Sequence, residues 1–419
     1  MLRDPLWSQP DFLKLWTGQA ISQIGSRITR TALPLVAVMI LGATPFQMGL
    51  LSGASALSVL LFGLFAGAWA DRLRRRPLLI AADLGRAAVL LAVPVAAMRH
   101  QLGMPLLYAV AAAAGLFTVL FDVSYQAYVP SLVERENILQ ANARLALSES
   151  VAEVSGPGLA GVLVQALTAP IAIAFDAASF LVSALSVAAV RKPEPAPERS
   201  AEQHMGREIA EGLRTSWRDP YLRAMALRSG QGAFFMGFFG SLYMLFVVGV
   251  LHIPPATIGV IIAAGGAFAL AGTAVAERVV GRFGVGPTFI GAAVFSGITA
   301  FLHPMAHGSL PLCCVFLAAG QIGDLAWPAI NITEMSLRQS VAPPQLLGRV
   351  NSAMNLLFNG IIPVGAFAGG ALAGIIGVRT TMLLGAGGYL LSSLWLVFSP
   401  VRHLRELPAA TNSATSGVT

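Results

Sequence analysis

Gln19, Gln23, Arg27 and Arg30 follow one another at intervals of four, four and three residues, which puts them on a single face of a helix. Glu149 and Glu153 stand one helical turn apart further along the chain. Both sets lie inside long apolar runs. A charge in such a run costs about 2.5–3.5 kcal/mol to insert into a membrane, so its default reading is functional. A carboxylate whose pKa is raised by burial can take up and release a proton, and an arginine beside it stabilises the ionised form. Counted along the helix from the basic side, Arg27 lies roughly 18 Å deep and the two glutamates roughly 16–22 Å. Opposite charges therefore arrive at one depth. A fixed ion pair joining the first and fifth runs fits these positions, and so does a proton switch built on that pair. Asp122, near one end of the fourth run, suits either a helix contact at the loop or a coupling role. Asp176 in the sixth run suits structural hydrogen bonds, and Asp324, beside Gln321 and Trp327, is placed to line a cavity.

The elements that carry these residues must be membrane-spanning. Hydrophobic residues make up 56% of the 419 and charged residues 11%, with a mean hydropathy of +0.72. A soluble domain carries roughly 25% charged residues because its surface faces water. Too few charges are present to coat such a surface, so lipid is the solvent for much of it. The net charge of +7 does not point to nucleic acid, because the arginines fall in short clusters between apolar runs with no interleaved aromatics. Cys313 and Cys314 are adjacent inside one run and read as small apolar residues without metal-ligand spacing. His252, His303 and His307 show no such spacing either. No nucleophile–base pair and no phosphate-binding loop is found, so neither an enzyme, a cofactor nor internal ATP drive is expected. The N-terminus shows no removable signal peptide pattern.

A spanning helix needs about 20 mostly apolar residues. Twelve such runs are expected, at 15–41, 46–70, 77–98, 104–128, 138–165 and 169–190, then 222–250, 255–277, 286–306, 309–335, 345–376 and 378–399. The fold class is thus all-α and membrane-embedded, in two six-helix bundles, 1–190 and 222–401. A polar linker, 191–221, joins them and a tail, 402–419, follows. Within the linker, Glu208 to Arg214 forms an amphipathic stretch expected to lie on the membrane surface. The loops holding Arg72 to Arg76, Arg135, Arg278 with Arg282, and Arg338 contrast with loops 42–46, 166–168 and 251–254, which hold no Arg or Lys. Arg99 and Arg379 are the exceptions. The positive-inside rule places both termini and the linker in the cytoplasm. The halves also repeat: Asn142, Gly156, Gly161, Leu163, Ser183 and Leu185 recur 209 positions later as Asn351, Gly365, Gly370, Leu372, Ser392 and Leu394. Asp71-Arg72 and Arg76 recur 206 positions later as Glu277-Arg278 and Arg282.

Gly67-Ala68-Trp69-Ala70-Asp71-Arg72-Leu73-Arg74-Arg75-Arg76 closely resembles the loop pattern G-x-x-x-D-R-x-G-R-R of the major facilitator superfamily, with Arg74 where the pattern has glycine. By that resemblance Gly67 allows close helix approach, Asp71 sits against a helix N-terminus, and Arg72, Arg75 and Arg76 bind acidic partners or lipid phosphates. Such contacts would hold the cytoplasmic side shut. By the pseudo-symmetry, Glu277 and Arg278 would repeat this role in the second half. Gly156-Pro157-Gly158-Leu159-Ala160-Gly161 resembles the glycine–proline motif of facilitator antiporters, echoed by Pro363 and Gly365. Phe121 to Val133, Leu139-Gln140-Ala141-Asn142, Ala32-Leu33-Pro34-Leu35 and Leu347-Gly348-Arg349-Val350-Asn351 are similar to the subfamily of enterobactin exporters and macrolide efflux proteins. The fourth run lacks the mid-helix arginine of many drug/proton antiporters. The resemblance implies proton-driven export of a small amphipathic organic compound, such as a drug, a secondary metabolite or a siderophore, across a bacterial plasma (inner) membrane by a monomer. An importer, or a receptor or scaffold of the same fold that does not transport, are the alternatives. The expected partners are the substrate, protons and membrane lipid.

Overall fold

The structure, a computed structural model, describes Leu6, residues 9–194 and residues 205–408; the side chains of 59, 60, 62–72 and 205–208 lie outside the description. No strand occurs among the described residues. In hydrocarbon every backbone N–H and C=O must be paired within the segment, so long apolar runs become helices. The first half holds α1 (Pro10–Leu35), α2 (Pro45–Arg72), α3 (Arg75–Met98), α4 (Met104–Leu132), α5 (Ile138–Ala166) and α6 (Ala169–Ala188). A linker helix, α7 (Met205–Arg218), leads to α8 (Pro220–Met244) and α9 (Pro255–Phe283). Then come α10 (Val285–Ala300, resuming over Leu302–Met305), α11, α12 (Leu347–Ile376) and α13 (Val378–Leu391, resuming over Leu394–Val397). α11 is built of Leu310–Gly320, a tighter 3-10 stretch Gln321–Ala326, and Trp327–Val341.

Among the described residues, nine of these helices are long and apolar enough to cross a membrane. The remaining long helices, α1, α2 and α5, run to 26, 28 and 29 residues, in keeping with the twelve spans expected. Four ends differ from expectation by several residues, among them that of α11, which runs on to Val341. α1 starts at Pro10, whose ring fits a first helical turn, and α9 runs on to Phe283. α4 continues to Leu132, so Asp122 lies ten residues, about 15 Å, from the helix end. It is well inside the span, where the sequence reading had set it near a loop.

Large apolar side chains such as Leu185, Val260, Ile298, Val315 and Ile375 are exposed, as they must be when the surroundings are lipid. The repeat seen in the sequence recurs in local structure. α1 passes into a π-helical turn at Val36–Ile40 and α8 into one at Leu245–Val250, 209 positions later.

The chain divides into two compact units. Met1–Gln203 with Ser241–Gly266 forms one, and His204–Gly240 with Ala267–Thr419 the other. In the first unit α1 packs on α5 and α6, α3 on α4 and α6, and α2 on α4. Leu15, Leu79, Phe121, Tyr128 and Val187 fill its core. In the second unit α10 packs on α11 and α13, and α12 on α13 and on α7. There Leu222, Met225, Phe289, Ile330, Leu337 and Met354 are buried together. The linker helix is docked rather than free. Gly212 lies against the Arg349 carbonyl at the start of α12, Glu211 pairs with Arg349 at 2.5 Å, and Trp217 stays exposed.

Candidate functional site

The polar face of α1 is held in register with α5 by Trp16, whose indole N–H donates to the Ser148 hydroxyl at 2.9 Å. One turn later Gln19 donates to Ser183 of α6 at 2.9 Å, and the Gln23 side-chain oxygen is buried with no hydrogen-bond partner. Arg27 then reaches both glutamates of α5. Its Nη1 lies 2.6 Å from Glu153 Oε2 and its Nη2 3.5 Å from Glu149 Oε1. One guanidinium thus serves two carboxylates. The arginine side chain is largely covered, whereas the glutamate side chains are 64% (Glu149) and 44% (Glu153) exposed. Arg30 stands near the same two glutamates, one turn on. The contact is thus covered on the arginine side and open on the glutamate side.

Gly156 explains how the helices come close enough for this. A Cβ built there would fall inside 3.0 Å of the Arg27 Cβ, with Arg27 Cγ at 3.1 Å and Cα at 3.5 Å. The first glycine of the motif therefore seats the stem of Arg27 directly beside its carboxylate partners. Gly161 does something different. It faces the first turns of α9, with Ala256 Cα at 3.0 Å and Gly259 Cα at 3.1 Å from a virtual Cβ, while Gly259 abuts the Pro157 carbonyl. Small residues allow the two backbones to touch, as in membrane helix pairs generally. Gly158 meets only Ala263, at an ordinary 3.9 Å. In the second unit a Cβ built on Gly365 would stand 3.0 Å from the Phe234 Cα, and Gly237 lies against the Ile362 carbonyl. Gly156 and Gly365 thus occupy equivalent crossings in the two units, α1 on α5 and α8 on α12. Pro363 is buried in the same stretch of α12.

The loop after α2 is seen in part. Gly67, Asp71 and Arg72 lie among the residues whose side chains are not described. Beyond them, the backbone N–H groups of Arg75 and Arg76 donate to the Glu194 carboxylate at 2.5 and 3.2 Å, which caps the start of α3. The Arg76 guanidinium donates to the Val187 and Ala188 carbonyls at 3.3 and 2.5 Å, the exposed end of α6. Cations at a helix C-terminus complement its dipole. Glu277 is exposed, and Arg278 bonds the Ala274 carbonyl of its own helix at 3.1 Å. Asp324 lies half-buried in the 3-10 stretch of α11.

Two charged groups escaped the sequence reading. Asp83 and Arg86, one turn apart on α3, are buried and paired. In the second unit Glu334 of α11 is shared by Arg228 of α8, at 3.5 Å, and Arg338, at 2.9 Å. It also accepts from the Ser229 hydroxyl at 3.1 Å, and Arg338 donates to Asn351 at 3.2 Å. The signal was available: Asp83, Arg86, Arg228 and Glu334 are charges inside apolar runs, the same criterion that marked Arg27 and Glu153.

Comparison with known proteins agrees with this architecture. The chain is similar to the multidrug efflux pump Tap of Mycolicibacterium fortuitum, with 28% identity over 92% of this chain and 94% of that one. Macrolide efflux protein A of Streptococcus pyogenes is 25% identical, with 94% and 97% of the two chains covered. Enterobactin exporter EntS of Escherichia coli is 23% identical, with 98% and 97% covered. Among solved structures, a bacterial homologue of the iron transporter ferroportin in an inward-facing state superposes with a TM-score of 0.76 at 18% identity. That match covers 92% of this chain and 98% of the other, a likeness of fold. The family pattern described as Major Facilitator Superfamily matches residues 15–366. The chain is therefore a multi-pass membrane transporter that belongs to the Major Facilitator Superfamily.

Proposed function

We propose that the protein exports a small amphipathic organic compound by proton antiport, with the two six-helix halves, 1–190 and 222–401, alternating access to a site in the membrane. The observation that carries this reading is the shared ion contact: one largely covered Arg27 between two partly open glutamates. Protonating Glu153 would remove one charge from the contact and leave Arg27 with Glu149 alone. That is a change in helix pairing driven by a single proton. Export is supported by the efflux proteins the chain resembles along most of its length, and by the Gly156–Pro157 motif. Asp71 with the loop arginines, and Glu277 with Arg278, would act as latches on the cytoplasmic side.

The test is flux in proteoliposomes. Purified protein reconstituted with an imposed pH gradient should drive uphill movement of a transported compound from a panel of dyes, macrolides and catecholates. Uphill movement that does not depend on the pH gradient would dismiss proton antiport. Specific binding of a panel compound without any flux would favour the receptor or scaffold reading.

A further inference from the structure

Helices α3, α4 and α6 enclose a second set of charges that the Arg27 contact does not use. Arg86 is buried, paired with Asp83, and clamped between the rings of Phe121 and Phe180, whose centroids lie 4.3 and 4.0 Å from its guanidinium carbon. Stacking on two aromatic faces holds the cation in place. Asp176 of α6 is buried beside it and accepts from the Ser179 hydroxyl at 3.1 Å. Gly25 of α1 leaves the space for that carboxylate, since a Cβ there would stand 2.5 Å from Asp176 Oδ1. Asp122 of α4 is exposed, yet it lies within electrostatic reach of Arg86.

The charges do not balance. Asp83, Asp122 and Asp176 all act on the one guanidinium of Arg86. From the neighbouring helices, Glu149 of α5 adds a further negative charge at Asp122. α1 faces the cluster with the uncharged Gln19 and Thr29, while its Arg27 is paired with the α5 glutamates and Arg30 stands near them. Three polar atoms are also buried without a hydrogen-bond partner: Asp83 Oδ2, Arg86 Nε and the Tyr125 hydroxyl. Tyr125 lies on α4, in the field of both Asp122 and Glu149. Unbalanced charges in a bundle surrounded by lipid carry an uncompensated desolvation cost, and carboxylates that share a site tend to hold a proton between them.

We propose that Asp83, Arg86, Asp122 and Asp176 form a proton-binding site, in which the carboxylates in excess over the single guanidinium hold at least one proton between them and exchange it through Asp122. The step is a proton transfer alone. The Asp122 carboxyl gives its proton to water and becomes a carboxylate, and Arg86 offsets the new charge. Only the use of this proton in transport rests on the antiport reading; its presence does not.

Infrared spectroscopy of the purified protein in lipid nanodiscs, scanned from about pH 5 to about pH 9, separates protonated carboxyl groups from carboxylates. Wild-type protein should show a protonated-carboxyl band near neutral pH. That band should survive in the Glu149→Gln/Glu153→Gln double variant, fall by about half or more in Asp122→Asn and in Asp176→Asn, and rise in Arg86→Gln as the cation is lost. Asp122→Asn changes an exposed residue, so it keeps the test usable if the buried variants fail to fold. Absence of the band in wild type, or a band untouched by Asp122→Asn, overturns the site. In proteoliposomes Asp122→Asn should also lose uphill efflux driven by a pH gradient. Wild-type flux that ignores the gradient would sink the antiport reading while the infrared result still decides the site.

Discussion

Replacing Gly156 with alanine adds one carbon where α5 lies against Arg27 of α1. Carbon atoms rest about 3.5–4.0 Å apart, whereas the new methyl would lie inside 3.0 Å of the Arg27 Cβ. The deficit is at least about 0.5–1 Å, and it falls on the base of the side chain, which cannot swing away as a tip can. The helices must part, and overpacking of this kind costs about 1–3 kcal/mol. Ala gains about 0.5–1 kcal/mol over Gly in a helix, so the net loss is about 0–2.5 kcal/mol. Gly158, two residues on, is the internal control. A methyl there meets Ala263 at 3.9 Å, so Gly158→Ala should be neutral or slightly stabilising. The assay is unfolding of purified protein in detergent followed by Trp fluorescence, together with efflux normalised to folded protein. Gly156→Ala should unfold earlier and transport more slowly, because the move disturbs the 2.6 Å contact between Arg27 and Glu153. Equal stability and equal efflux in the two variants would refute the claim that Gly156 seats Arg27.

Glu334→Gln strips the carboxylate from Arg228 and Arg338, all three being largely covered. Breaking such a buried set costs about 3–5 kcal/mol, visible as loss of monodisperse protein on gel filtration, whereas the more open Glu149→Gln should leave folding nearly unchanged. Gly212→Ala presses a methyl into the Arg349 carbonyl and should undock α7, read as faster hydrogen exchange over 205–218; unchanged exchange would mean the helix is held elsewhere. Asp71→Asn should weaken closure of the cytoplasmic side and lower transport at similar protein levels, and wild-type transport in that variant would remove the latch.

Fold class and helix positions were legible because a lipid-facing helix must be apolar for about 20 residues, a strong one-dimensional signal. Matching depths for Arg27 and the α5 glutamates were legible for the same reason, since rise per residue turns sequence position into height. What could not be read was azimuth, meaning which helix faces which. Gly156 looked like a bending or packing residue; only the crossing of α1 and α5 shows that it makes room for Arg27. Nothing in the sequence signalled that the Arg76 guanidinium bonds the last carbonyls of α6, from 111 and 112 positions away. Asp83 and Arg86 were passed over although their positions inside a span marked them. Glu194 capping α3 had no local signal at all, because it reaches the helix from the linker.

Coupling is the central claim, and uphill transport in proteoliposomes addresses it most directly. With the membrane potential clamped, one pH unit is worth about 1.4 kcal/mol per proton. Wild-type protein should therefore sustain a substrate gradient of about tenfold per pH unit for each proton exchanged. Glu149→Gln and Glu153→Gln should bring that gradient to unity while still exchanging labelled for unlabelled substrate. A wild-type gradient indifferent to pH, or a full gradient in both variants and in their combination, would contradict the account.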